Sequence, residues 1–406
     1  MKQQFINAMS RRRFLELTGI VSSSLLLHLD LESVVAEDTD TDISRVIMHT
    51  FDPNQNTTDS AIRAALLATS NFSWLHSGDS VFVKVASNSN LSSPSVTSPA
   101  VLGSAVRFLL EAGAGTVYVG DMSGAQFVRH LPDETIGSTR ENMRQNGLLE
   151  AAEAAGATIH CFEEVPYAQA YIPGIPSVAH HWADELYVAE ILDRVDHIVN
   201  LPRLGKHVLA GATLGLKNAV GWISDQSRGA LHRDGHVFQE KIAEINAIPQ
   251  LANKQRLTLT LVDKILTTYG PDAGYHLPLD KPIVIASDDI VSHDQIALLT
   301  LLWARQQTPH TVLQDDPYPL QSNGLNAWFV RVYWGETYYQ QYQQLPTFDD
   351  LAAPNNLTHI NYAYDILRNG RPDVIEVSSG EYPLDSKLQM MLTHNPALHI
   401  NIQDGV

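Results

Sequence analysis

The run from Ile198 to Gly221, IVNLPRLGKHVLAGATLGLKNAVG, gathers the residue types that perform acid–base and anion chemistry. Arg203, Lys206 and Lys217 carry fixed positive charge, His207 titrates near neutrality, and no acidic residue lies between Asp196 and Asp225. In a chain of formal net charge -18 this is a cationic island. Neighbouring cations lower the pKa of an imidazole and favour its neutral, basic form, so His207 is suited to move a proton on a bound anion. Two other groupings could hold a divalent ion. His232-x-Asp234-x-His236 would line one face of a strand, or else form a solvated turn. Asp288, Asp289, His293 and Asp294 could place ligands near a strand end, with Asp294 serving equally well as the cap of the following helix.

These residues need a scaffold, and the chain alternates strand and helix signals. Asp79 to Val85 is strand-like and delivers Lys84 to a polar loop, Ser87 to Ser98. Ser98-Pro99 opens a helix that ends near Gly113, and Thr116 to Gly120 is the next strand, running into Asp121. Ser138 with Glu141 fits a capping box for a helix to Ala155, stopped by Gly156. Thr158 to Phe162 (strand), Asp184 to Arg194 (helix) and His197 to Leu201 (strand) lead into the cationic run. Beyond it come a helix at Phe238 to Ala247, strands at Leu257 to Val262 and Ile283 to Ala286, and a helix from Asp294 to Arg305. After an aromatic-rich insertion, 306–356, the rhythm resumes with a helix at His359 to Leu367 and a strand at Val374 to Val377. The pattern predicts an α/β fold, a mainly parallel sheet flanked by helices, with functional loops at the C-terminal ends of the strands. The body would span 41–406, divisible into lobes 41–195 and 196–406.

Residues 1–36 read as an address. Ser10-Arg11-Arg12-Arg13-Phe14-Leu15 resembles the twin-arginine export signature, followed by an apolar stretch and a small-residue cleavage site at Val34-Val35-Ala36. The expected partner during export is the twin-arginine translocase, and the expected location is periplasmic or extracellular. The apolar stretch is interrupted by His28 and Asp30 and is too short for a stable membrane span. Removing the leader would leave a charge of -19, which disfavours nucleic acid and anionic lipid as partners. Cys161 is the only cysteine, so a Cys-ligated iron–sulfur cluster within one chain is excluded, and the residue reads as a small buried apolar group. GATLGLKN is not a P-loop, because Asn218 follows the lysine where Ser or Thr is required, and Gly120 to Gly124 places its serine one position late for a nucleophile elbow.

The central run, with Arg228 and His232 after it, resembles the signature of the family catalogued as domain of unknown function 362: a strand, a Pro-x-Leu-Lys-x-His run, then Gly-x-Thr-x-x-x-Lys-Asn. Lys84, Gly120-Asp121, Ser287 to Ala297 and Asn369 to Val377 fall where that family has further motifs. Val85-Ala86, Gly205-Lys206 and Ile290 depart from its pattern, and the ferredoxin-type cysteine runs of many relatives are missing. His207-x-x-x-Gly211-x-Thr213-x-Gly215-x-Lys217 is also similar, more distantly, to a run of the nickel-pincer lactate racemases. That resemblance implies a cofactor-bearing role for Lys217, proton transfer for His207 and nickel ligation for His232. Leu214 replaces a glycine of that run.

Three functions follow as expectations. The first is an exported enzyme acting on a small anionic substrate, with His207, Lys217 and His232 as catalytic residues. Lys84, Asp121, Arg203, Lys206, Thr213, Asn218 and Arg228 would bind the substrate. Within the enzyme class the alternative is a nickel-pincer-type 2-hydroxyacid racemase or epimerase, so the cofactor is open between none, a divalent metal held by His232, Asp288 and Asp294, and the pincer group. The second function is a solute-binding protein using the same loop without chemistry, and the third an assembly protein that keeps these residues for packing.

Overall fold

The structure is a computed structural model that describes residues 41–403 except 179, 183–185, 315, 317–324, 345–357 and 396–397, and every structural statement below concerns those residues. Residues 1–36, expected to be an export leader, and part of the aromatic insertion lie outside them. In chain order one sheet takes β1 (Ile43–Thr50), β2 (Ser80–Val85), β3 (Thr116–Gly120), β6 (Thr158–Ile159), β9 (His197–Leu201), β10 (Gly205–His207), β11 (Gly211–Thr213), β12 (Gln255–Leu266), β13 (His276–Ser287), β14 (Val374–Gly380) and β15 (Ile400–Gln403). Two short ribbons stand apart, β4 (Arg129–His130) with β5 (Thr135–Ile136) and β7 (Tyr171–Pro173) with β8 (Tyr187–Ala189).

Across the sheet the order is β15-β14-β1-β13-β12-β9-β2-β3-β6, with the β10–β11 hairpin attached to the far end of β12. Most neighbours are parallel, as the alternation of elements predicts. The antiparallel member is β13, which pairs with both β1 and β12. A short connection, residues 267–275, joins it to β12, and so short a link can only return the chain antiparallel. Both strands of this hairpin run twelve residues, longer than the apolar segments alone predict. Their far ends, Lys264 to Leu266 and His276 to Pro278, keep pairing beyond the ends of the shorter strands and carry the connecting loop out over them.

The strands alternate between two cores, as a period of two requires. Val81, Val83, Val199, Leu257 and Leu259 face one apolar cluster with the helices Thr58–Thr69 and Pro99–Glu111. Phe82, Ile198, Val262 and Ile285 face the other, with the helices Phe238–Asn246 and Ile290–Gln307. The same parity puts Lys84, Asn200 and Thr258 on the second face, and the register sets them side by side: Lys84 opposite Asn200, Asn200 opposite Thr258. A polar row therefore crosses the C-terminal ends of the parallel strands. Cys161 is buried in the first core, the small apolar role read from the sequence.

Several elements differ from expectation. The helix opened by Ser138, whose side chain accepts from Glu141 N, breaks at Gly147, which adopts φ 86° between Thr139–Asn146 and Leu148–Ala154. The predicted helix at Asp184 to Arg194 is a strand at Tyr187–Ala189 and one helical turn at Ile191–Arg194; residues 184 and 185 lie outside the described set. His232-x-Asp234-x-His236 is not a strand: His232 ends the helix Asp225–His232 and a 3-10 turn, Gly235–Val237, follows, so the residues do not alternate on one face. From the insertion, Tyr339 and Tyr342 are buried, and Tyr342 Oη donates to His232 O at 2.6 Å, so these two rings pack on the body, while Trp328 is exposed. No described helix is long and apolar enough to cross a membrane.

Candidate functional site

The chain leaves β9 at Pro202, forms the β10–β11 hairpin and enters one helical turn, Gly215–Asn218. That turn is fixed at both ends. Asp294 accepts from Gly215 N at 2.8 Å and Leu216 N at 2.7 Å, and its Oδ1 also lies 2.9 Å from His293 Nδ1. A Cβ at position 215 would come within 2.8 Å of Asp294 Oδ1, so only glycine lets the carboxylate close on the turn. At the other end Asn218 donates to Asn200 Oδ1 at 2.7 Å and accepts from Lys84 Nζ at 3.3 Å. Lys217 is held between these anchors.

Asp294 is thus a cap, but of this distant turn and not of its own helix. That helix begins at Ile290 and is capped by Asp289, whose Oδ1 accepts from Val291 N at 3.1 Å. The three residues considered as metal ligands do not converge. Both oxygens of Asp294 are taken, Asp288 is exposed just beyond β13, and no group of three or more His, Cys, Asp or Glu among the described residues is arranged to hold a metal ion.

Most of the expected substrate ligands are occupied within the protein. Lys84, 1% exposed, forms an ion pair of 2.7 Å with Asp121 and donates to Val85 O at 2.8 Å, which with Asn218 uses its three ammonium hydrogens. Asp121 also accepts from Ser87 N and Met122 N, at 2.7 and 2.8 Å. A Cβ on Gly221 would lie 2.3 Å from both Asp121 Oδ1 and Lys84 Nζ, so the pair is sealed under that glycine. Arg228 spends its guanidinium on the carbonyls of Met122, Ser123, Val220 and Gly221. Lys206, adjacent to His207 on a strand and so directed to the opposite face, pairs with Asp316 at 2.9 Å. Asp316 also receives Arg305 and Tyr269 N. Thr213 is buried in β11 opposite Gly205.

What remains is a smaller group. Arg203 is 4% exposed, and its Nε and Nη1 have no hydrogen-bond partner. Burial lowers its pKa to about 10 against the opposing pull of Asp272. Lys217 is half-buried, and its ammonium makes no hydrogen bond or ion pair among the described residues. Burial first, then Arg203 and Arg228, lower its pKa to about 7. His207 is pushed well below its ordinary value, by burial and then by Lys217, Arg203 and His232. His232 falls to about 4, by burial and then by Lys217 and Arg228, despite its bond to the Arg228 carbonyl.

The two neutral imidazoles are opposite tautomers. His207 Nδ1 lies 3.1 and 3.2 Å from Leu209 N and Ala210 N, which can only donate, so Nδ1 carries the lone pair and the ring presents Nε2–H. His232 Nδ1 lies 2.7 Å from Arg228 O, which can only accept, so Nδ1 carries the hydrogen and Nε2 the lone pair. His207 therefore presents an N–H donor at Nε2 and His232 a lone pair at Nε2. The sequence could not assign these roles, because the partners are backbone groups placed by a turn and a helix.

Sequence reasoning also missed Asp272. It sits in the β12–β13 loop, accepts from Asn88 Nδ2 at 2.5 Å, and is the carboxylate that Arg203 and Lys217 both feel. Ser95 Oγ donates to its backbone carbonyl. The Gly-Pro-Asp turn at Gly270 to Asp272 marks a loop, but nothing local says that two long strands carry it over the cationic run.

Residues 81–298 match the family model described as Domain of unknown function (DUF362). No curated protein matches the chain. Among solved structures, a Thermotoga maritima protein from a structural genomics programme is similar at 15% identity and TM-score 0.34, over 63% of this chain and 59% of that one. The lactate racemase apoprotein from Thermoanaerobacterium thermosaccharolyticum is similar at 13% identity and TM-score 0.35, over 61% of this chain and 54% of that one. The chain thus spans less than two thirds of either structure.

Proposed function

The chain belongs to the DUF362 family, and on that premise we propose that it is an enzyme that binds a small anionic substrate and moves a proton on it. The observation that carries this reading is Arg203, a buried guanidinium with no hydrogen-bond partner at Nε or Nη1, beside a lysine that lacks a carboxylate of its own. A buried charge without a partner costs several kcal/mol. Asp272 offsets only part of that in the apoprotein, and a ligand carboxylate would supply the rest. With the carboxylate on Arg203 and Lys217, His207 Nε2–H donates to a ligand oxygen and His232 Nε2 takes a proton from the adjacent carbon. The charge that develops on the carboxylate is met by groups already in place.

Two measurements test it. Small carboxylates should raise the melting temperature of the wild type and leave Arg203→Met unmoved; equal shifts in both would remove Arg203 from the site. Solvent deuterium should enter the carbon next to the carboxylate of a bound substrate, slowed about 100-fold or more in His232→Gln. Stabilisation without any exchange would favour the solute-binding alternative.

Lys217 favours a second reading, in which the nickel-pincer group of the racemase resemblance is attached there. An unpaired amine of lowered pKa in a fixed turn is suited to such attachment, and the group would supply the metal chemistry of a 2-hydroxyacid racemase or epimerase. Native mass spectrometry with elemental analysis decides: nickel and extra mass, both lost in Lys217→Ala, support it, and plain apoprotein mass rejects it.

We further propose export by the twin-arginine translocase to a periplasmic or extracellular location, on the Ser10-Arg11-Arg12-Arg13-Phe14-Leu15 motif. Replacing Arg11, Arg12 and Arg13 together by lysine should retain the protein inside the cell, and unchanged secretion would reject the motif.

A further inference from the structure

We propose that Lys217 is a nucleophilic amine that condenses with the carbonyl of a small oxo acid, whose carboxylate lies on Arg203 and whose carbonyl oxygen accepts the Nε2 hydrogen of His207. This rests on the anion-binding reading above and goes beyond it by naming the reacting group on each side.

The geometry separates Lys217 from the other two lysines nearby. Lys84 and Lys206 are each closed on a buried carboxylate, Asp121 at 2.7 Å and Asp316 at 2.9 Å, and a carboxylate at that distance favours the ammonium form. Lys217 makes no ion pair or hydrogen bond among the described residues, feels the Asp272 carboxylate only electrostatically, and is half-buried. Its position is not left to a mobile loop, because Asp294 pins the turn before it and Asn200 and Lys84 pin Asn218 after it. A desolvated lysine beside another cation is the arrangement that leaves an amine unprotonated and reactive toward carbonyls. The lowering of its pKa to about 7 agrees with that placement. Two further groups point to a ligand with two kinds of oxygen. Arg203 has unsatisfied donors suited to a carboxylate, and the His207 Nε2–H, fixed by two backbone amides on Nδ1, is suited to a single carbonyl oxygen.

The chemistry balances without an oxidant or reductant. The neutral amine attacks the carbonyl carbon, a C–N bond forms, and the π electrons move to oxygen, which takes up the first of the two amine protons to give a neutral amino alcohol. The resulting hydroxyl then leaves as water as the nitrogen lone pair closes the C=N bond. His232 Nε2, the ring nitrogen with the lone pair, can accept the proton shed by nitrogen and return it to the departing hydroxyl. The sum is amine plus oxo acid giving imine plus water.

The test is trapping. The full chain is incubated with pyruvate, then reduced with sodium borohydride, and the peptides are mapped by mass. The expected result is a stable adduct on the peptide containing Lys217, absent from Lys217→Met and from Lys217→Arg, which keeps the charge if the methionine variant does not fold. In Arg203→Met the yield with pyruvate should fall about tenfold or more, while the yield with acetone, which has no carboxylate, should not change. No adduct, or adducts unchanged in Lys217→Arg, would overturn the proposal, as would a group already attached to Lys217 before any ketone is added. Thermal stabilisation by pyruvate, lactate or propionate without trapping would sink the imine and leave the anion site standing. Trapping without stabilisation by any carboxylate would point the other way, to a reactive lysine without the proposed anion site.

Discussion

Two sets of basic residues lie in or against the cationic run, and they differ in a single respect. Lys84 and Lys206 each face a buried carboxylate. Arg203 and Lys217 share only Asp272, which is itself bonded to Asn88. The first set is frame: its charges are neutralised locally, its hydrogens are spent, and it holds β2, β3 and β10 against their neighbours. On the proposed reading the second set is site: its charges are desolvated by the fold and a ligand would satisfy them. A count of lysines and arginines in the sequence cannot make that division, because the carboxylates that decide it come from distant segments.

The largest effect that would sharpen the contrast is on stability. Asp121→Ala strands the Lys84 ammonium, which is 1% exposed, and should cost about 3–5 kcal/mol in chemical denaturation. Lys217→Met removes a charge that has no partner and should cost less than about 1 kcal/mol, or stabilise. Equal losses from the two would erase the distinction between frame and site. A smaller effect is expected at the anchor joining them. Asp294→Ala leaves Gly215 N and Leu216 N buried without acceptors and should cost about 1–3 kcal/mol. It should also weaken carboxylate binding, since Lys217 follows immediately. Normal binding in Asp294→Ala would mean the turn is held by other contacts.

Local signals in the sequence marked the cationic run but not the division of labour within it. β3 was legible to the residue, from TVYVG bounded by turn residues, and the cationic run after β9 was legible from its composition. Asp121 and Lys84 were found as strand-end residues, yet their pairing depends on β2 lying beside β3 and on a glycine, Gly221, closing above them. Asp294 was found as a cap, but the turn it caps lies 79 positions away in sequence. Asp272 and Asp316 carried no signal at all, because each acts only where the β12–β13 hairpin and the insertion fold back on the run. The tautomers of His207 and His232 likewise depend on backbone groups that only the fold aligns.

The smallest effect is on pH dependence, and it probes the site set alone. Lys217 has its pKa lowered to about 7 in the folded chain, against an ordinary value of 10.5 when unfolded. Between those values the unfolded state binds more protons, so the contribution of this group to stability rises with pH across that window. Lys217→Met should flatten that rise in a series of denaturation curves. Burial lowers Lys84 as well, but there a directly paired carboxylate, Asp121, opposes the lowering. A carboxylate ligand reverses the sign. It favours the ammonium form, so stabilisation by a small carboxylate should be greatest below pH 7 and decline as pH rises through that point, with Arg203 maintaining a remainder that Arg203→Met abolishes. Ligand stabilisation that is flat from pH 6 to pH 9 would mean that Lys217 does not meet the ligand's charge, and Arg203 would then stand as the sole anion-binding group among these residues.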